Sequence, residues 1–205
     1  MSKKIDIFIA FPVYREVPAQ TVTSLLRTVE ALNAEHVSYQ FCFMQGCSQV
    51  VNARNLLVKQ FLETACTHLF WLDADMVWAP EQFLAVATAG KDCLNAPYVA
   101  KDTRFHQLNH GLGFCCVKRE IIEKLSKAAP MGVTVEGNFP QVFQYAPHLG
   151  IAGEDIEFYR AVQALGYQTT QAQGLQLGHV GLYVYKEQPD GEKPNSSPPA
   201  LDGLD

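Results

Sequence analysis

Three short apolar runs, at residues 5–11, 39–44 and 68–72, are separated by segments whose apolar residues recur at helical spacing. In the first such segment Val22, Leu25, Leu26 and Val29 fall at i, i+3, i+4 and i+7, which predicts a helix packed along that stripe. The second, residues 50–64, places Leu57, Phe61 and Ala65 on one side. A third helix is expected from Pro80 to about residue 89, then a strand in "LGFCCVK" and a short helix in "REIIEKLSK". A last helix runs from Glu154 to Leu165, with Phe158, Val162 and Leu165 inward. Strands alternating with helices imply right-handed crossovers and an α/β fold whose sheet is mostly parallel and flanked by helices. Ligands of such sheets bind beyond the carboxyl ends of the strands. The segments of interest therefore follow the first three strands, at residues 12–15, 45–48 and 73–75.

At 205 residues the chain has room for one domain, assigned here to residues 1–186. The end, "KEQPDGEKPNSSPPALDGLD", is rich in proline, glycine and charge, and residues 187–205 read as a disordered tail. A net charge of -5 argues against nucleic acid as the main partner. No apolar run reaches the length of a membrane span. The start, "MSKKIDIFIAFPVY", has no small-residue cleavage site and breaks at Pro12, so it reads as a strand rather than a signal peptide. None of the six cysteines forms a CxxC pair, and Cys42, Cys115 and Cys116 sit in strand-like runs. Reduced, core-packed thiols of a cytoplasmic protein are expected.

The third strand runs into "LDADMV", where Asp73 and Asp75 flank Ala74. Hard divalent cations seek carboxylate oxygens, and Mg²⁺ or Mn²⁺ takes one or two of them together with phosphate oxygens. A bound cation also offsets the repulsion of two neighbouring carboxylates. A solvated turn capped by aspartate is the bland alternative, but here the strand leading in is apolar throughout.

"FWLDADMVWAP" resembles the DxD motif of GT-A-fold glycosyltransferases, especially the small family-2-like enzymes of bacteria, phages and large viruses. "IAFPVYRE" resembles their first-strand nucleotide-binding loop and "VNARNLLVKQFL" a helix common among them. "GLGFCCVKREIIEKL" is similar to their acceptor-side strand and helix. "GEDIEFYRAVQALGY" is similar to the late ED-containing helix, and "LGHVG" to the late histidine segment. The resemblance spans roughly residues 5 to 185. It implies a single GT-A domain that moves a hexose-like sugar from a nucleotide-sugar, a UDP-sugar by preference, to the hydroxyl of a glycan or other acceptor.

The same resemblance suggests roles. His179, between glycines, would be a third metal ligand beside Asp73 and Asp75, with neutral imidazole suiting Mn²⁺ better than Mg²⁺; a satisfied core or turn histidine is the alternative. Asp155, preferred over Glu154, would take the acceptor's proton in an inverting transfer, although acids are favoured in any first helical turn. Donor contacts fall to Pro12, Tyr14, Gln45, Arg54, Asp73, Ala74 and Lys101, with Arg54 facing the diphosphate. Gly111 and Gly113 allow close backbone approach on the acceptor side.

Two other readings stay open. "FWLDADMV" also fits the motif of haloacid-dehalogenase-type phosphatases, with Asp73 as nucleophile, but that motif belongs on a chain's first strand. A non-catalytic relative that only binds nucleotide-sugar or glycan is the third.

Overall fold

The computed structural model describes residues 5–101, 108–109, 111–135, 137–145, 153–181 and 184–185. The expected tail at 187–205, together with His106, His110 and His148, lies outside them. In chain order the first elements are β1 (Asp6–Val13), α1 (Ala19–Ala34), β2 (Ser38–Gln45), α2 (Val50–Leu62), β3 (His68–Leu72), β4 (Met76–Val77) and α3 (Pro80–Ala87). There follow β5 (Cys93–Asn95), β6 (Tyr98–Val99), β7 (Leu108–Asn109), β8 (Phe114–Lys118) and α4 (Arg119–Ala128). The last are β9 (Met131–Thr134), β10 (Gly137–Pro140), α5 (Glu154–Ala164), β11 (Thr169–Gln171), β12 (Gly178–Val180) and β13 (Val184–Tyr185).

The main sheet has six strands in the order β11-β5-β8-β3-β1-β2. Only β8 runs against the others, antiparallel to both β3 and β5. The sheet is therefore mostly parallel, as the alternation of strands and helices predicts. Along β1 successive side chains enter opposite layers, as strand geometry requires. Phe8 and Ala10 join Leu57, Phe61, Trp71 and Ile121 on one side. Ile7, Ile9 and Phe11 join Leu32, Phe70 and Phe83 on the other. Burial on both faces explains why β1 and β3 read as continuous apolar runs. Each buried Phe or Leu contributes roughly 1.5–3 kcal/mol.

Helix α1 departs from the expected packing. Its buried positions are Thr21, Ser24, Thr28 and Leu32, while Val22 and Leu26 are exposed. The reason is polar. The Trp78 backbone N–H donates to Ser24 Oγ at 3.1 Å and its indole N–H to Thr28 Oγ1 at 2.8 Å. A buried indole needs such a partner, so the hydroxyl face turns inward. Helix α2 stops at Leu62 rather than 64, and Ala65 is exposed. The Arg119 guanidinium donates to the carbonyls of Phe61 at 2.9 Å and Thr64 at 2.8 Å, satisfying groups the helix end leaves free. On α5, Phe158 and Val162 are buried as expected but Leu165 is exposed. All six cysteines are free thiols, and four of them are buried.

Candidate active site

From β1 the chain passes through α1 to β2 on one side, then returns through α2 to β3 on the other. The crevice outside the carboxyl ends of β1 and β3 is thus a topological switch point, where open α/β sheets bind ligands. A cleft of about 440 Å³ opens there, lined among others by Pro12, Tyr14, Asp73, Asp75, Tyr98 and His179. Ala74 lines it too.

His179 reaches the aspartates through backbone pairing. Strand β12 pairs antiparallel with β4, setting His179 opposite Met76, and the Val180 N–H donates to the Asp75 carbonyl at 2.7 Å. The imidazole Nε2 then lies 3.4 Å from Asp75 Oδ1. Its Nδ1 meets the Val99 carbonyl at 3.1 Å. A carbonyl only accepts, so Nδ1 carries the proton, and in the neutral ring Nε2 faces the carboxylate with its lone pair. Two electron-pair donors facing each other call for a proton or a cation between them. A histidine fixed through a backbone carbonyl is also the usual arrangement of a metal ligand. The Lys101 ammonium binds Asp75 Oδ2. Burial raises the Asp75 pKa, but His179, when its ring is protonated, and Lys101 outweigh it and hold the carboxyl below its ordinary value.

Asp73 is held differently. Its N–H donates to the Gly113 carbonyl at 3.0 Å, and its Oδ1 accepts from Arg54 Nη2 at 3.0 Å. Arg54 is only 3% exposed and is not one of the residues that line the cleft. Its Nε is 3.5 Å from Glu154 Oε1, and its guanidinium carbon stands 5.3 Å from the Trp71 ring. Burial lowers its pKa, yet Asp73 and Glu154 outweigh that and raise it. Neither Nε nor Nη1 has a hydrogen-bond partner among the described residues. Among the described residues no group of three or more His, Cys, Asp and Glu side chains could hold a metal ion. The expected trio is thus assembled as the pair Asp75 and His179, with Asp73 turned to Arg54. Asp73 follows the third strand, whereas the phosphatase reading needs its nucleophile on the first.

Glu154 and Asp155 open α5 as expected. Glu154 faces Arg54, whereas Asp155 Oδ1 accepts from the Ile156 N–H at 2.8 Å. Gln45 lies outside the main cleft, in a neighbouring depression of about 140 Å³ with Val13 and Phe43. Gly111 is buried, and its carbonyl accepts from the Tyr159 hydroxyl at 3.1 Å. At Gly113 a Cβ would stand 2.7 Å from Tyr98 Oη and 2.8 Å from Asp73 Oδ2, so any other residue would push those two side chains aside.

Two residues escaped the sequence reading. Tyr98 is buried in the cleft, its ring edge-on to His179 with centroids 5.1 Å apart. Burial and nearby Asp73 push its phenol pKa up. Its place just beyond strand β5, in "NAPYV", was the available signal. Asn55 is a clamp: its amide exchanges two hydrogen bonds, 2.9 and 2.8 Å, with the backbone of Phe143.

No family model and no curated protein sequence matches the chain. Solved structures do. The catalytic domain of Drosophila beta1,4-galactosyltransferase 7 with xylobiose superposes with a TM-score of 0.54 at 14% identity, covering 83% of this chain and 66% of that one. GalNAc-T7 with UDP, GalNAc and Mn²⁺ gives a TM-score of 0.52 at 13% identity, covering 98% and 46%. A glycosyltransferase involved in glycosylation of the major capsid of PBCV-1 gives 0.50 at 12% identity, covering 82% and 81%. The chain thus spans less than two thirds of the galactosyltransferase domain's length. No helix among the described residues is long and apolar enough to cross a membrane. This chain has the GT-A fold of nucleotide-sugar transferases.

Proposed function

We propose that the chain is a metal-dependent glycosyltransferase that moves a sugar from a UDP-sugar to an acceptor hydroxyl with inversion. The observation that carries this reading is the Asp75–His179 pair, set 3.4 Å apart in a switch-point cleft. The complexes of similar folds with UDP and Mn²⁺ support the choice of donor and ion.

Asp75 and His179 would hold Mn²⁺, or Mg²⁺ less readily, because carboxylate and imidazole together suit the softer ion. Such an ion, when bound, stabilises negative charge growing on a departing diphosphate. The Lys101 ammonium binds the same Asp75, which supports it as a contact for a diphosphate oxygen. Arg54 acts through Asp73, which it fixes, rather than by touching the donor. Pro12 and Tyr14 form the wall on which a base can lie. Glu154 is engaged by Arg54, which supports Asp155 as the base. Its carboxylate accepts the proton as the acceptor oxygen bonds to the anomeric carbon. The bond from that carbon to the diphosphate breaks, and its electron pair stays on phosphate oxygen.

A panel of UDP-, GDP- and dTDP-sugars, assayed for hydrolysis and transfer with Mn²⁺ or EDTA, tests this. Turnover restricted to UDP-sugars and abolished by EDTA is the expected result. Turnover that EDTA leaves intact would remove the metal from the reading.

A further inference from the structure

We propose that Tyr98 is a positioning residue of the site: its ring holds the imidazole of His179 with Nε2 turned to Asp75. Backbone pairing brings His179 to the cleft but does not decide how its ring is turned. Strand β12 sets the residue opposite Met76 of β4 and opposite Tyr185 of β13. Beyond that, the outer torsion of a histidine is broad and roughly two-fold. A half-turn about it exchanges Nε2 with Cε1 and Nδ1 with Cδ2, so that carbon rather than a lone pair would face Asp75. The contact of Nδ1 with the Val99 carbonyl at 3.1 Å opposes this turn. A single hydrogen bond is a modest restraint where water can replace it, however, and the His179 side chain keeps 13% exposure.

The second restraint is aromatic. The Tyr98 ring stands edge-on to the imidazole, with the two planes at 79°, an arrangement that aromatic pairs prefer. A ligand is held only as firmly as the group it leans on, and Tyr98 is anchored at both ends. Its backbone bridges in parallel to Leu177, two residues before His179, and pairs antiparallel with Asn109 of β7. Its hydroxyl end rests over Gly113, in the space that a Cβ there would fill. Only 4% of the residue is exposed. Tyr98 and Val99 are thus consecutive residues that address the same histidine, one by its ring and one by its carbonyl.

Core packing alone is the competing explanation, because Tyr98 also lies among the buried apolar residues around Phe114 and Leu177. Yet it lines the cleft together with Asp73, Asp75 and His179, which a residue of the core alone need not do. Packing would be met by any apolar side chain of that reach, whereas the contact between rings needs an aromatic one. Groups that orient a metal ligand change metal affinity by about 10–100-fold when they are removed. The use of this positioning rests on the metal-bearing reading of Asp75 and His179, but the orientation of the ring can be read without any metal.

In the full chain, Tyr98→Leu and Tyr98→Met each remove the ring, so that a failure of one to fold leaves the other, while Tyr98→Phe keeps the ring and loses only the hydroxyl. Nitrogen-15 spectra of the His179 ring, recorded at about pH 8 and so above the ordinary histidine range, report which nitrogen carries the proton. Wild type and Tyr98→Phe are expected to show the Nδ1–H form alone. The two ring-free variants should show signals averaged between the two forms. Manganese affinity with UDP present, read by electron paramagnetic resonance, should fall about 10–100-fold in the ring-free variants and stay near the wild-type value in Tyr98→Phe. Ring-free variants that melt lower yet keep the wild-type spectrum and manganese affinity would overturn the proposal in favour of packing. Equal losses in Tyr98→Phe and Tyr98→Leu would also overturn it, by placing the effect in the hydroxyl. If the wild type binds no manganese, the metal reading fails, and the spectra alone then uphold or overturn the part given to Tyr98.

Discussion

His179 presents Nε2 to Asp75 Oδ1 across 3.4 Å while the Val99 carbonyl holds its other nitrogen at 3.1 Å. The ring can neither turn away nor exchange its tautomer without losing that second bond. If this pair holds the ion, Asp75→Asn and His179→Ala should each lower transfer at least 100-fold, about 2.7 kcal/mol. Manganese titration followed by electron paramagnetic resonance, with UDP present, should show the loss of bound ion directly. Full manganese binding by both variants would sink the assignment.

The depressed pKa of Asp75 has a consequence for acid stability. Burial opposes the shift, but His179 and Lys101 prevail, so the folded carboxyl titrates below its unfolded value. Its stabilising contribution is complete above about pH 4 and is lost as pH falls through the lower folded value. In EDTA, wild type and Asp75→Asn should therefore differ most near neutrality and converge in strong acid. Melting curves recorded across that range give the answer.

Arg54 bridges two carboxylates. Arg54→Met leaves Asp73 and Glu154 without their buried cation, which should cost roughly 3–5 kcal/mol. For a chain of this size that corresponds to a drop of about 10 °C in melting temperature. A drop of no more than a degree or two would mean that the carboxylates find other partners.

On α1 the two faces can be separated by mutation. Thr28→Val removes the acceptor for the Trp78 indole and should destabilise by about 1–3 kcal/mol. Val29→Ala, on the neighbouring half-buried line, should cost less than Thr28→Val. Chemical denaturation that ranks the two the other way would restore the apolar stripe as the packed face.

Asp155→Asn should reduce turnover by about 10²–10⁴ while leaving UDP affinity in place, as expected for a lost proton acceptor. Glu154→Gln should instead lower the melting temperature, through Arg54. Kinetics and calorimetry on the pair distinguish the two roles, and matching defects in both variants would contradict the division.

Strand β3 was legible to the residue, because burial on both sides forces an unbroken apolar run. The Asp73–Asp75 segment was legible for the same reason, as polar residues just past such a run. Helix α1 was misread because its inward hydroxyls answer Trp78, a partner far along the chain that no local period reveals. Asn55 is a similar case, since its two hydrogen bonds go to Phe143. His179 was found only through a family likeness. What sets it beside Asp75 is the pairing of β12 with the two-residue β4, too short to leave a pattern.

The reversed strand β8 starts where its neighbours finish, with Phe114 opposite Leu72. The rim of the crevice is thus laid down by chain heading into the sheet as well as by chain leaving it. Trimming two residues from β8 would keep its inward and outward alternation, yet draw Gly113 off the aspartate it supports. Such a molecule would lose buried packing along β8 and, with it, the hydrogen bond that holds the Asp73 backbone at the rim.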